Sequence, residues 1–285
     1  MSRCRQLDKH LRALMDIGEV LGAMKNLALM EIAKLSRVAS TQRRAVDSAE
    51  LAIADLTRFY PELLVRPSGT LYLAIGSERG LCGDLNEAVA QTLHAHHTNA
   101  AGMPPVVAVG RRLWAKLSDG PAQITCLEGA SVTEEVETTL ARVMRACESQ
   151  RSGNPASASL TVLHCRPDEA GISVSEFTPF RRTPERSLPR GYPPHLNVAP
   201  ASLLPALVEQ YLFAALYGIF IDSLLAENIR RLRHMENALR RLEQRTTELR
   251  LKRNLLRQEE ITEEIEIIMV SAAAIVQRPK GIKAH

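Results

Sequence analysis

The stretch ASLLPALVEQYLFAALYGIF at residues 201–220 opens the longest run compatible with a single helix, which continues to about residue 277. Neither proline nor glycine follows Gly218 until Pro279. A helix of ~70 residues is roughly 100 Å long at ~1.5 Å per residue. A compact body of this chain's 285 residues has a radius of gyration of about 19 Å. We therefore expect the helix to project from the globular part, to pair with another helix, or to do both.

A second long helical pattern covers residues 1–60. Its apolar positions recur in two series of sevens that stand four and three residues apart, which is the a/d seam of a left-handed coiled coil. The series are Leu7, Leu14, Leu21, Ala28, Leu35, Gln42, Ala49, Leu56 and Leu11, Gly18, Lys25, Ile32, Ala39, Val46, Ile53, Tyr60. Gly18 and Lys25 are its flaws, and a polar seam residue costs stability while it fixes the register. We expect the N- and C-terminal helices to wind together as a long antiparallel coiled coil.

The C-terminal helix has an apolar stripe that changes face. One set of sevens is Leu225, Leu232, Leu239, and a second is Met235, Leu242, Leu249, Leu256. Beyond Leu256 the apolar set moves to Ile261, Ile265, Ile268, Ala272 and Ile275. The shift indicates a change of neighbour along one continuous helix. The lower part is expected to pair with the N-terminal helix, and the tip with another partner.

Short apolar runs alternate with helical patterns between the two long helices. Strands are predicted at residues 71–75, 105–109, 122–126, 160–165 and 171–177, the last two as a pair. Helices are predicted to about residue 97, to about residue 117 and over 131–149, where Ser131 is the expected cap. Strand–helix alternation predicts a small central α/β (Rossmann-like) domain at residues 70–180. The remaining segments are a linker at 181–200, the C-terminal helix at 201–277 and a basic tail at 278–285.

Composition bounds the class of protein. The chain is 45% hydrophobic with a net charge of +4 and a pI near 8.9, which does not by itself argue for nucleic acid. Its five cysteines include no C-x-x-C pair, so a redox or metal motif is not supported. No apolar run reaches 18 residues without a charge, and we expect no transmembrane segment.

The turn GLCGDLN at residues 80–86, called the glycine turn below, follows a predicted strand and precedes a helix. That context could cradle a phosphate, but the sequence lacks a P-loop lysine and dinucleotide spacing. We favour a structural turn that Gly80, Cys82 and Gly83 permit. Cys82 as a nucleophile, with His94, His96 or His97 as base, is the less favoured alternative, since the histidines lie on a predicted solvated helix.

Two charged clusters on the C-terminal helix have alternative readings. The basic set is Arg230, Arg231, Arg233, Arg240, Arg241 and Arg245, and the acidic set is Glu259, Glu260, Glu263, Glu264 and Glu266. Nucleic acid could bind the first and a divalent cation the second. Glutamates interleave the arginines, and the acidic set has no glycine-bearing ligand loop, so solvated faces are favoured for both. We expect no catalytic residue, cofactor or metal.

Four separated segments together resemble the gamma subunit of rotary F-type ATP synthases. The matching pieces are Ala23-Met24, the glycine turn, the region from Ala226-Glu227-Asn228 to Met235, and the pattern Asn254, Arg257, Gln258, Ile261, Thr262, Glu264 with Ala272-Ala273-Ala274. The similarity covers nearly the whole chain. Departures include Glu236, where many members carry lysine, and Val270-Ser271 at the tip.

The resemblance implies a non-catalytic central-stalk rotor at the cytoplasmic face of a bacterial inner membrane, bound peripherally. Its implied partners are an alternating alpha/beta catalytic ring, an epsilon-type central-stalk subunit and a membrane ring of ion-carrying subunits. Implied contacts to the ring are Met24, Lys25, Asn254, Arg257, Gln258, Thr262 and Glu264, while Ile268, Ala272 and Ile275 would turn in an apolar sleeve. The alternative is a cytoplasmic coiled-coil adaptor with an α/β module.

Overall fold

A computed structural model describes residues 3–63, 69–98, 104–117, 124–150, 158–168, 171–177 and 192–276. The side chains of 3, 40, 41, 158 and 273–276 are outside this description. The helices are α1 Arg3–Phe59, α2 Leu85–Thr98, α3 Arg111–Trp114, α4 Val136–Gln150 and α5 Pro200–Val276. The strands are β1 Gly69–Ile75, β2 Val106–Val109, β3 Ile124–Leu127, β4 Ala158–Cys165 and β5 Ile172–Phe177. The expected basic tail and residues 181–191 of the expected linker lie outside the described residues.

The chain divides into two compact units. The first comprises Met1–Lys25 and Met235–His285, and the second comprises Asn26–His234. Both long helices are therefore shared, because α1 and α5 each contribute one part to each unit. The first unit contains only helix among its described residues, and the second contains the sheet.

Within the first unit the two helical parts run antiparallel. Arg253 Nη1 lies 3.5 Å from Asp8 Oδ1, and Lys25 Nζ lies 3.1 Å from Glu236 Oε1. Going from Asp8 to Lys25 advances 17 positions (25 − 8), and going from Arg253 to Glu236 retreats 17 positions (253 − 236). Equal and opposite steps are what a straight antiparallel pair requires.

Within the second unit the same orientation holds between the other parts of these helices. Gln42 Nε2 donates to Ala214 O at 3.0 Å, and Tyr211 Oη donates to Glu50 Oε1 at 2.9 Å. The predicted antiparallel pairing of the N- and C-terminal helices is confirmed in each unit.

The predicted seam of α1 is closed along its length. All sixteen positions of the two heptad series are buried or half-buried, from fully buried Leu35 to half-buried Tyr60. The two flaws have local partners in the first unit. A Cβ on Gly18 would meet Leu242 Cδ2 at 3.5 Å, so that leucine fills the space, and Lys25 pairs with Glu236.

The sheet has the order β3-β2-β1-β4-β5, with every neighbouring pair parallel except β4 and β5. Successive residues of β1 point to opposite faces. Leu71, Leu73 and Ile75 enter a core with α4 and with parts of α1 and α5, while Tyr72 and Ala74 enter a core with α2 and α3. Burial on both faces explains why β1 is apolar throughout instead of alternating.

Some predicted boundaries are wrong. The helix expected from Ser131 begins at Val136, after a 3₁₀ turn at Thr133–Glu135. Ser131 is not its cap; instead, its backbone N–H donates to Glu135 Oε2 at 2.7 Å. The helix expected to reach Leu117 ends at Trp114, and β3 runs to Leu127, with residues 118–123 outside the description.

The start of α5 follows from its first residues. Pro200 occupies the first helical position, where its fixed φ suits a helix and its missing N–H removes no bond. Ser202 N–H donates to Ala199 O at 3.0 Å, and the Ser202 hydroxyl donates to the same oxygen at 2.9 Å. Pro205 lies one turn later and removes a single backbone hydrogen bond.

Among the described residues, one helix is long and apolar enough to span a membrane. It is α5, which contains an 18-residue window of hydropathy 1.5 that is 33% buried. Leu216, Phe220 and Ile221 of α5 are packed in the core between helices and sheet. A core helix meets the same criteria of length and composition, and the expectation of no transmembrane segment stays a prediction.

Candidate partner-contact site

The glycine turn connects β1 to α2 in a conformation that few residues adopt. Leu81 has φ 65° and Gly83 has φ 67°, both in the left-handed region. Gly83 takes this conformation freely because it has no Cβ, whereas Leu81 is strained there. Leu81 is also 39% exposed, so its own packing does not offset the strain. The surrounding contacts must therefore hold the turn in place.

Hydrogen bonds beneath the turn supply part of that restraint. Asn86 Oδ1 accepts the Ser77 N–H at 2.9 Å, and Asn86 Nδ2 donates to Ser77 Oγ at 2.8 Å. Cys82 Sγ lies 3.1 Å from Ser77 Oγ. All three side chains are buried. The predicted structural role of Cys82 agrees with this geometry.

The thiol is not arranged for nucleophilic catalysis. Cys82 is 3% exposed, and its hydrogen bonds within the described residues go to Ser77, Arg79 O and Asn86. His94 and His96 are exposed, and His97 Nε2 lies 3.0 Å from Pro104 O. The structure does not bring the three candidate bases to the thiol.

The helix α5 contacts the edge of the sheet at which an α/β fold would bind a nucleotide. Open sheets bind ligands at the carboxyl ends of the strands where the strand order reverses, which here is between β1 and β4. Arg231 Nε donates to Gly80 O at 3.3 Å, and Ser223 Oγ donates to Cys165 O at 3.5 Å. The chain's own helix thus contacts the glycine turn after β1 and the last residue of β4.

Arg231 corrects the expectation of a fully solvated basic face. Its side chain is 8% exposed and pairs with Glu227, which is 5% exposed. Arg231 Nη1 also donates to Asn228 Oδ1 at 2.9 Å. Burial raises the pKa of Glu227 to about 7, although the attraction of Arg231 opposes the rise. Arg233, Arg240, Arg241 and Arg245 are exposed as predicted, whereas the Arg230 side chain is 18% exposed and pairs with Asp84.

Glu227, Asn228 and Arg231 were missed as structural anchors by the reading of the sequence. A Glu-x-x-x-Arg pair is ordinary on exposed helices, where it stabilises by a few tenths of a kcal/mol. The available signal was its setting, because Glu227 and Asn228 directly follow the apolar residues 224–226. Charges in such a run are expected to be paired.

The ring contacts proposed on α1 are not equally available. Met24 and Lys25 are both half-buried, and the Lys25 ammonium is bound to Glu236 across the seam. A partner that needs this charge must compete with an ion pair within the chain. The structure therefore gives Lys25 a role in the seam between α1 and α5 before any contact with a partner.

The candidate contacts on α5 are open to solvent. Asn254, Arg257, Gln258, Thr262 and Glu264 are exposed, and the Thr262 hydroxyl returns to Gln258 O at 2.9 Å. The spacings of seven and four put Arg257, Glu264 and Ile268 on one helix face. Their side chains are presented together to any partner on that side.

The end of α5 exposes large apolar side chains that are interleaved with Glu263, Glu264 and Glu266. Its large side chains are 47–71% exposed: Ile261, Ile265, Ile267, Ile268, Met269 and Val270. Ala272 is also exposed, and the side chain of Ile275 is outside the description. Contiguous exposed apolar surface marks an interaction site. We call this segment, residues 261–272, the apolar tip.

The part of the chain that the structure describes contains no cluster of three or more His, Cys, Asp and Glu side chains that could hold a metal ion. The acidic set at residues 259–266 is distributed along a single helix, and its members are exposed except for the half-buried Glu260.

Comparison with known proteins relates this geometry to one family. A family model described as ATP synthase matches residues 3–275. The ATP synthase gamma chain of Lachnoclostridium phytofermentans is 23% identical over 296 aligned positions, which cover 96% of this chain and 100% of that protein.

Solved structures share the fold. A chain of the Euglena gracilis mitochondrial ATP synthase, in a cryo-EM structure of its rotor, aligns with a TM-score of 0.62 at 14% identity, covering 90% of this chain and 98% of that one. A chain from the central stalk and c-ring of the Tetrahymena thermophila mitochondrial ATP synthase gives 0.58 at 17% identity, covering 77% and 99%.

Proposed function

Since the chain belongs to the ATP synthase gamma-chain family, we propose that it is the central-stalk rotor of a membrane ATP synthase or ion-translocating ATPase. It is a subunit of a membrane-bound complex and a peripheral part of it. In this role it performs no chemistry itself. It couples ion flow through a membrane ring to ATP synthesis or hydrolysis in an alternating alpha/beta ring.

The observation that carries the proposal is the contrast along α5. Its seam with α1 is closed as far as half-buried Leu256, whereas the apolar tip is uncovered. Leu251 and Leu255 are exposed singly before the tip, whereas the tip groups six exposed apolar side chains within residues 261–270. Such a group suits a surrounding partner, and the opening of a catalytic ring provides one.

The mechanism follows from unequal contacts. A partner changes an equilibrium only if it interacts differently with the alternative states. The faces of α5 differ, with Arg257, Glu264 and Ile268 on one side and Gln258 and Thr262 on the next. Turning the helix inside the ring would present these faces in succession to each catalytic subunit and change its nucleotide affinity.

The remaining partners and the location are part of the same proposal. We place the second unit, with its α/β sheet, against the membrane ring and an epsilon-type central-stalk subunit. The complex would lie at the cytoplasmic face of a bacterial inner membrane. The apolar tip would turn in an apolar sleeve, where aliphatic side chains such as Ile268 and small ones such as Ala272 make few polar contacts.

Substitution within the assembled complex tests the proposal. Replacing Arg257 and Gln258 together with alanine should lower ion pumping per ATP hydrolysed, while nucleotide binding to the ring alone is unchanged. Arg250→Ala is a matched control, because Arg250 is exposed and lies seven residues earlier on the same face. Unchanged coupling in the double variant would remove both residues from the contact surface.

The rival function is a cytoplasmic coiled-coil adaptor with an α/β module. Affinity purification of the tagged full chain distinguishes the two. A rotor brings down the six members of the ring in a fixed ratio to itself, whereas an adaptor recovers other proteins and no ring.

A further inference from the structure

The contact between the glycine turn and α5 is centred on one guanidinium. Arg231 donates from Nε to Gly80 O at 3.3 Å and from Nη1 to Asn228 Oδ1 at 2.9 Å, and Nη2 pairs with Glu227 Oε1. Glu227, Asn228 and Arg231 are each less than a tenth exposed. The turn is therefore held to the helix by a buried polar cluster that includes one carboxyl group.

Several charges face this carboxyl group from neighbouring segments. Glu78 and Arg79 act on Glu227 from the segment that precedes the turn. At the rim, Arg230 Nη1 lies 3.2 Å from Asp84 Oδ1. From α3, the Arg112 guanidinium comes within 3.6 Å of the position that a Cβ on Gly80 would occupy.

Desolvation is the largest influence on the pKa of Glu227. Desolvation raises its pKa to about 7, Arg231 and Arg79 oppose the rise, and Glu78 adds to it. Lifting the turn would admit water and return the pKa of this carboxyl toward the ordinary value of about 4.3. The state with the higher proton affinity gains population as the pH falls. Closure of the turn onto α5 is therefore linked to uptake of a proton.

We propose that Glu227 makes the contact between the glycine turn and α5 a proton-dependent latch, which closes more firmly as the pH falls and opens more easily as it rises through neutrality. Arg231 and Asn228 are its positioning residues, because they fix the geometry through which the turn is held. The latch lies within the second unit and does not rest on the role proposed for the chain in a rotor.

Hydrogen exchange of the full-length chain between pH 6 and pH 8 tests this inference. After correction for intrinsic exchange, the protection of the backbone amides in the glycine turn should fall about ten-fold from pH 6 to pH 8. Glu227→Gln keeps the size of the side chain but cannot ionise. In that variant the protection should stay at the level of pH 6 throughout the range.

Asp84→Asn is the matched control, because it removes the exposed ion pair between the same turn and the same helix. It should retain the ten-fold change. A flat profile for the unsubstituted chain, or protection that rises with pH, would overturn the proposal. So would an unaltered profile in Glu227→Gln. The profile of the unsubstituted chain decides the matter even if a variant does not fold.

Discussion

Lys25 Nζ lies 3.1 Å from Glu236 Oε1, across the seam between α1 and α5 in the first unit. Both side chains are about a third exposed, at 33% and 38%. The lysine that interrupts the apolar heptads is therefore matched by an acid on the opposite helix. A one-residue slip of either helix would separate the two charges, so the pair selects one register.

Reversing one of these charges should weaken the first unit. Glu236→Lys places two ammonium groups across the seam, and we expect a loss of about 1 kcal/mol, typical of a partly exposed pair. The double variant Lys25→Glu with Glu236→Lys should recover most of it. Urea titration of all four chains gives the coupling energy directly. A coupling energy of zero in this cycle would show that the pair contributes nothing.

Truncation in the core of the second unit should be costly. Leu35 is fully buried between helices and sheet, and Leu35→Ala should cost about 2–5 kcal/mol. Leu27→Ala is the matched control on the same helix, because Leu27 is 60% exposed. It should change the stability by about 0.5 kcal/mol or less. Thermal unfolding followed by circular dichroism compares the two, and similar shifts would contradict the assigned packing.

The conformation of Gly83 predicts a purely local effect. A Cβ at this position would meet no atom within 4 Å, but its φ of 67° disfavours any side chain. Gly83→Ala should therefore cost about 1–2 kcal/mol. Gly22 also has open space around its Cβ position but lies within α1, so Gly22→Ala should stabilise by up to about 1 kcal/mol. Denaturant midpoints of the two variants should move in opposite directions.

Global stability should carry the signature of Glu227. Its pKa in the folded chain is raised to about 7, so the folded state binds more protons than the unfolded state between pH ~4.5 and ~7. The contribution of this carboxyl thus decreases as the pH rises through that window, by a few kcal/mol at most. Comparing chemical unfolding of the chain and of Glu227→Gln at pH 5 and pH 8 isolates it. The difference between the two should change with pH in that direction.

The apolar tip should tolerate polar substitution within the free chain. Ile268 is 64% exposed, and Ile268→Asn should change the stability by about 0.5 kcal/mol or less. In the assembled complex, the same change should reduce ATP-driven rotation, because it puts an amide into an apolar sleeve. Single-molecule rotation assays measure this effect. Normal rotation would show that the tip makes no apolar contact there.

The features that could be predicted from the sequence are those whose apolar residues repeat at regular intervals. Two heptad series located the seam of α1, and alternating strands and helices located the sheet, because burial of one face imposes a repeat on the chain. Lys25 was visible as an interruption, but its partner on α5 was not, since nothing local indicates which distant acid will lie opposite.

Other features depend on contacts that no local pattern encodes. Arg231 lies only two residues before the exposed Arg233, and nothing local shows that the glycine turn will lie against α5, where Arg231 Nε donates to Gly80 O. The start of α4 was misplaced because the Glu135 backbone N–H donates to Val132 O at 3.1 Å and closes a 3₁₀ turn where a helix was expected. The proposed contacts of Arg257, Gln258 and their neighbours belong to surfaces on other chains.

The uncovered end of α5 exposes any unassembled copy of the chain to nonspecific association. Six bulky aliphatic side chains would be available to other hydrophobic surfaces in a crowded cell, and association between free copies would compete with correct incorporation. We therefore expect surplus subunits to depend on chaperones or to be degraded, and synthesis to be matched to the supply of the proteins that cover this end. The surface that fits the assembled complex therefore makes the unassembled subunit prone to aggregation.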